Sequence, residues 1–90
     1  SGTDKRADLD AELTENEAAL LRCLMEKRGT PLSCRTLAAT ALGYDVIEAE
    51  ARDIVRPHIS RLRKKIEFDP ARPTLVRTVR GQGYLFAPEG

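Results

Sequence analysis

Residues 53–86 read DIVRPHISRLRKKIEFDPARPTLVRTVRGQGYLF, and their two periodicities decide the fold. Val55, Ile59, Leu62 and Ile66 recur at i, i+4, i+7 and i+11, the apolar stripe of a helix. From Thr74 to Arg80 the period switches to two, as in a strand. Gly81-Gln82-Gly83 then turns the chain, and Tyr84-Leu85-Phe86 returns as the partner strand. The spacing predicts a helix over 54–67, with Asp53 as N-cap, and strands near 75–79 and 84–87. Pro57 is expected in the first helical turn, where its missing N–H has no partner to lose. Between the two patterns, Phe68-Asp69-Pro70-Ala71-Arg72-Pro73 reads as a stiff turn.

Upstream, Thr14 and Glu17 form the S/T-x-x-E capping box of a helix over 15–28. Ala18, Leu21, Leu24 and Met25 give its apolar stripe, broadened by Leu20, and Gly29 ends it after Lys27 and Arg28. Thr30-Pro31-Leu32 is a short connector. Ser33 caps a second helix to 42, with Leu37, Ala38, Ala41 and Leu42 inward and Gly43 at its end. Residues 43–52, GYDVIEAEAR, suit either a loop or a helical turn. Residues 1–12 are polar and acidic and read as a flexible arm or linker remnant, with a short strand near Leu9. The Ser1-Gly2 start reads as a cloning remnant, the natural protein beginning upstream. Three helices followed by a β-hairpin make a winged helix-turn-helix over 13–88, with 89–90 as a tail. The fold class is therefore mainly α with a hairpin.

Ninety residues make one domain with a modest core, and with no Trp that core is Leu, Ile, Val and Ala. No apolar run approaches membrane-spanning length, and no signal peptide is visible. Cys23 and Cys34 lie in helical patterns without metal-ligand spacing and are expected to be a reduced pair. No metal or cofactor is expected. The net charge of +1 argues nothing by itself, but its distribution does. Residues 1–50 carry six basic against ten acidic side chains, and residues 51–90 nine against four. A basic end of this kind suits a polyanion.

That charge sits on the third helix. Opposite the apolar stripe lie Pro57, Ser60, Arg61 and Lys64, with Arg56, His58, Arg63 and Lys65 on the flanks. Apart from Asp53, the face holds no carboxylate before Glu67, whereas a merely solvated helix mixes signs into i,i+4 pairs. A one-signed face on the last helix of a helix-turn-helix places arginines against base edges and phosphates. The hairpin adds Arg77, Thr78 and Arg80 just before its Gly-x-Gly turn, and an arginine at a wing tip fits the minor groove. No helix follows the Gly-x-Gly, so it is not a dinucleotide-binding fingerprint. His58 is the only histidine and has no nucleophile arranged beside it, and no carboxylate pair shares a pocket face, so an enzyme is not expected. The rival is a winged helix used for protein interaction, a class that loses the basic helix face and the wing arginine.

The chain resembles the C-terminal effector domain of OmpR/PhoB-type response regulators. The resemblance rests on Leu13-Thr14-x-x-Glu17 with Leu20-Leu21, on Leu37, on His58-Ile59-Ser60-Arg61-Leu62-Arg63-Lys64-Lys65-Ile66, and on Thr78-Val79-Arg80-Gly81-Gln82-Gly83-Tyr84-Leu85-Phe86. It covers about residues 13–88. It implies sequence-specific binding of double-stranded DNA at tandem promoter half-sites, by dimers formed through a receiver domain outside this chain, in the bacterial cytoplasm. By resemblance, Arg61 and the positions of Arg56 and Pro57 meet bases. His58, Arg63 and Thr78 meet phosphate or sugar, Arg80 enters the minor groove, and Tyr84 anchors the wing. The loop Gly43–Arg52 corresponds to one that can touch RNA polymerase. The chain departs from the family at Asp53 and Cys34, where arginine is usual or frequent, and at Arg56 and Pro57, usually acidic and valine. Arg52 and Arg35 stand beside the two lost cations. The family's N-terminal sheet is expected to be reduced or missing.

Overall fold

The computed structural model describes residues 12–87. Helix α1 (Glu15–Glu26) begins as its capping box requires: the Thr14 hydroxyl accepts from Glu17 N–H at 3.1 Å, and Thr14 N–H donates to Glu17 Oε1 at 3.0 Å. It stops two residues short of the expected end, at the turn closed by Gly29 (φ 81°). Helix α2 (Cys34–Leu37) is capped by Ser33, whose Oγ accepts from Thr36 N–H at 3.0 Å. It continues through Ala38–Leu42 with a wider i→i+5 winding and ends at Gly43 in the left-handed conformation.

Helix α3 (Glu48–Ile66) starts six residues before the expected position. Pro57 therefore lies in its interior and not in its first turn, and Asp53 is not its N-cap. The proline removes only the N–H that would bond the Asp53 carbonyl. Both residues are exposed, so water can take that acceptor. In return, the extra turns carry Ala51 into the core with no exposed surface, and they put Glu48 and Glu50 at the positive end of the helix dipole. Glu48 Oε1 also accepts from Arg35 N–H at 3.0 Å, tying the start of α3 to the first turn of α2. The open reading of 43–52 thus resolves into a loop over 43–47 followed by helix.

Strands β1 (Val76–Val79) and β2 (Gly83–Phe86) pair antiparallel, with Val76 opposite Phe86 and Thr78 opposite Tyr84. Gln82 N–H donates to Val79 O at 2.9 Å across the turn, and Gly81 supplies the positive φ there. On its other edge β2 is bridged by the α1–α2 connector: Leu32 N–H donates to Tyr84 O at 2.7 Å and Tyr84 N–H to Leu32 O at 3.0 Å. The connector's chain passes so close that a Cβ on Gly83 would lie 2.0 Å from Leu32 O.

One core joins all of this. Leu20 and Leu24 of α1, Leu37 and Ala38 of the second helical segment, Ala51, Val55, Ile59 and Leu62 of α3, and Val76 of β1 are fully or almost fully buried, with Tyr84 closing the wing side. Met25, expected inside, is half exposed, because the buried ridge of α1 runs through Glu17, Leu20 and Leu24. The ridge includes a carboxylate because Lys65 reaches it from α3, Nζ to Glu17 Oε1 at 2.6 Å, and also donates to Glu12 O at 2.8 Å. Among the described residues no helix is long and apolar enough to cross a membrane. The short strand expected near Leu9, and all of the 1–12 arm but Glu12, lie outside the described residues, as do 88–90.

Burial works to raise the Glu17 pKa, but the bonds from Lys65 and Thr14 outweigh it and hold the carboxyl below its ordinary value of 4.5. A group with a depressed folded-state pKa contributes stability that is present above the unfolded value and lost as pH falls through the folded one. Acid denaturation of Glu17→Gln is therefore expected to show a shallower fall in stability below about pH 4.5 than the wild type. Parallel stability–pH curves for the two proteins would contradict this.

Candidate nucleic-acid interface

At about 100° per residue, the outward arc of α3 runs Arg56, Ser60, Lys64, Pro57, Arg61, spanning roughly 140° from first to last. All five are exposed. The arc is basic only in its C-terminal half. Because the helix begins at Glu48, Glu50 joins Asp53 on the same outward side near the N-terminus.

The wing stands beside one edge of this arc. A cleft of about 490 Å³ opens between α3 and the hairpin, lined by Glu48, Arg52 and Arg56 on the α3 wall, by Thr78 and Arg80 on the wing wall, and by Ser33 and Cys34. A second groove of about 370 Å³ holds Arg56, Ser60, Arg63 and Lys64 opposite Thr78. Of the residues singled out by sequence, the structure thus brings Arg56, Ser60, Arg63, Lys64, Thr78 and Arg80 together along the wing side. Pro57, His58 and Arg61 line neither groove. Arg61 lies on the side of α3 facing away from the wing. His58 is half-buried, and its Nδ1 is enclosed without a hydrogen-bond partner among the described residues.

Two cations of the basic run are spent inside the protein. Lys65 is held by Glu17. Arg63 donates from Nε to Val76 O at 3.0 Å and from Nη2 to Thr78 Oγ1 at 2.8 Å, and its guanidinium lies 5.3 Å from the Tyr84 ring centroid. Burial pushes the Arg63 pKa down from the usual arginine range, and Tyr84 and Glu67 work against that shift. It remains a cation at neutral pH.

Glu67, read from sequence only as the end of the basic face, is buried just beyond α3. Its carboxylate accepts from Thr74 N–H at 2.9 Å, from Leu75 N–H at 3.0 Å and from Val76 N–H at 2.8 Å. These bonds satisfy the backbone that leads into β1, so the wing is anchored to the end of α3. No local pattern announces such a residue, because its partners follow an irregular turn. Arg52 is the other addition: it faces the wing where Asp53 does not. Burial above all, with help from Glu48, pushes the Cys34 thiol up, while Arg52 and Arg56 pull the other way. Cys23 Sγ lies 3.1 Å from Thr40 Oγ1.

Residues 8–86 match the family model described as "Transcriptional regulatory protein, C terminal". The chain is 45% identical over 74 residues to the "Probable transcriptional regulator ycf27" of Porphyridium aerugineum, covering 82% of this chain and 31% of that protein. The protein of the same name in Galdieria sulphuraria is likewise 45% identical over 74 residues, with 29% of its length covered. The chain thus spans about a third of the length of these relatives. Among solved structures, the DNA binding domain of CpxR from E. coli superposes with a TM-score of 0.70 at 32% identity, covering 88% of this chain and 76% of that one. The winged helix expected from the switch in periodicity is borne out, and this chain belongs to the family of transcriptional regulatory C-terminal domains, the OmpR/PhoB-type effector domains that its HISRLRKKI and TVRGQGYLF segments resemble.

Proposed function

We propose that residues 13–88 are a sequence-specific module for double-stranded DNA, the effector part of a two-component transcription regulator. The observation that carries the reading is the outward cationic arc of α3 set beside a wing whose tip presents Arg80. The arc enters the major groove, whose base edges a guanidinium reads with two bonds, and Arg80 enters the adjacent minor groove. Arg61, Arg56 and Pro57 meet bases. His58, Ser60, Lys64 and Thr78 meet phosphate or sugar, and Arg52, on the α3 wall of the cleft, takes over the backbone contact that Asp53 cannot make. Base preference is this chain's own, since Arg56 and Pro57 depart from the family pattern. In the whole protein a receiver domain pairs two such modules on tandem half-sites in the cytoplasm. The exposed Tyr44 and Ile47 of the loop before α3 face RNA polymerase.

The test uses duplexes selected from a random pool, with scrambled versions as reference. Arg61→Ala is expected to lose about 1–3 kcal/mol on the selected duplex and much less on the scrambled one. Arg80→Ala is expected to lose most where the flanking minor groove is A·T-rich. Equal losses for Arg61→Ala on both duplexes would remove that residue from base reading. Variants that change binding to no duplex would return the chain to the protein-interaction class.

A further inference from the structure

Arg63 lies in the cationic run, yet its geometry is that of an internal clamp. Nε and Nη2 are committed to Val76 O and Thr78 Oγ1, both on β1, and the guanidinium carbon lies over the Tyr84 ring on β2. The residue itself belongs to α3, one helical turn beyond Ser60 and on the wing side of the stripe. One side chain therefore ties both strands of the wing to the helix. Other side-chain hydrogen bonds among the described residues tie the end of α3 to the root of the hairpin, where the Glu67 carboxylate accepts from Thr74, Leu75 and Val76 N–H. Only Arg63 among these acts up at Thr78, two residues from Arg80.

We infer that Arg63 is a positioning residue that fixes the offset between α3 and the wing, and hence the spacing between the base-reading arc and Arg80. This rests on the DNA-binding reading above. A planar fork held by two bonds and a ring keeps one geometry, which a lysine in its place would not reproduce. The wing is a short two-stranded ribbon of four residues per strand, marginally ordered by itself; Leu32 holds its β2 edge, so the β1 edge that leads from Thr78 to Arg80 relies on Arg63. Released, it leaves Arg80 attached but no longer aimed, so discrimination at the wing-side flank is lost while contact through α3 persists.

The experiment has two readouts. Free protein is followed by amide hydrogen exchange. Binding is followed on two duplexes that share the selected core and differ only in an A·T-rich or G·C-rich wing-side flank. Arg63→Ala is expected to speed exchange at Thr78, Val79 and Tyr84 without DNA, and to reduce affinity for the A·T-flanked duplex on the order of tenfold, so that the two duplexes bind alike. Combined with Arg80→Ala, it should add little to the loss seen with Arg80→Ala alone, because both remove the same contact. Arg63→Lys keeps the charge and is expected to behave like Arg63→Ala. The inference is overturned if wing exchange is unchanged, if Arg63→Lys restores discrimination, or if Arg63→Ala weakens both duplexes by one factor and adds fully to Arg80→Ala. A wild-type domain that binds no duplex fails at the first titration, and then it is the reading of the site that falls, taking the positioning role with it.

Discussion

Replacing Gly83 by alanine is expected to destabilise the domain by about 2–6 kcal/mol, from the strained backbone and from overpacking together. Gly83 has φ of 120°, a conformation side chains rarely adopt, and its added Cβ would sit 2.0 Å from Leu32 O and 2.9 Å from Ser33 Cα. Both neighbours are backbone and neither can swing away. Relief requires breaking the Leu32–Tyr84 bridge, which carries two hydrogen bonds and buries Leu32 and Tyr84. A domain of this size has about 5–15 kcal/mol of stability in all. The melting temperature should fall by roughly 10 °C or more. Gly81→Ala is the control. It has a positive φ but open space around it, so only the left-handed backbone is penalised, by about 1–2 kcal/mol. Equal melting temperatures for the two variants would show that the connector does not constrain the wing.

Glu67→Ala is expected to be comparably severe. It leaves the N–H groups of Thr74, Leu75 and Val76 without their acceptor, and an unsatisfied buried donor costs about 1–3 kcal/mol. Val76 is fully buried, so water cannot take the place of the carboxylate at that amide. Glu67→Gln separates this from lost volume. It keeps the size but turns an NH2 group toward one of the N–H donors, and should still lose stability. Denaturant titration reads both. A Glu67→Gln protein with wild-type stability would contradict the capping role.

Elements whose cause is local were legible in the sequence. The Thr14–Glu17 box, the Ser33 cap, the strand pattern of 74–80 and the glycine turn each act within a few residues; the caps appear where expected and the strands within a residue of it, with Gly83 already in β2. The start of α3 was not legible, because two local signals misled. Pro57 reads as a first-turn residue, and Ala51, between Glu50 and Arg52, suits a loop as well as a helical turn. Yet Ala51, Val55, Ile59, Leu62 and Ile66 form one stripe once the small residue is counted, and the proline's lost bond falls on the solvent side. For the same reason the outward arc gains Glu50, a residue whose local sequence also suits the connection.

The candidate site divides in the same way. A helical wheel finds the cationic side of α3, but it cannot tell which flank cations turn inward. Lys65 does so because Glu17 lies buried on α1, 48 residues away, and Arg63 because β1 and β2 come to lie beside it. These partners are distant in sequence and leave no local mark. Arg52, by contrast, sits next to the anomalous Asp53, and one step around the helix is enough to turn it toward the wing.

The domain's proposed grip on duplex DNA runs through its cationic arc and wing. Titrating the domain against duplex DNA at stepped salt concentrations decides whether it does. The predicted result is an affinity whose logarithm falls linearly with the logarithm of salt, with a slope of about −0.9 per phosphate neutralised. Affinity that does not change with salt, or no binding at the lowest salt, would contradict it.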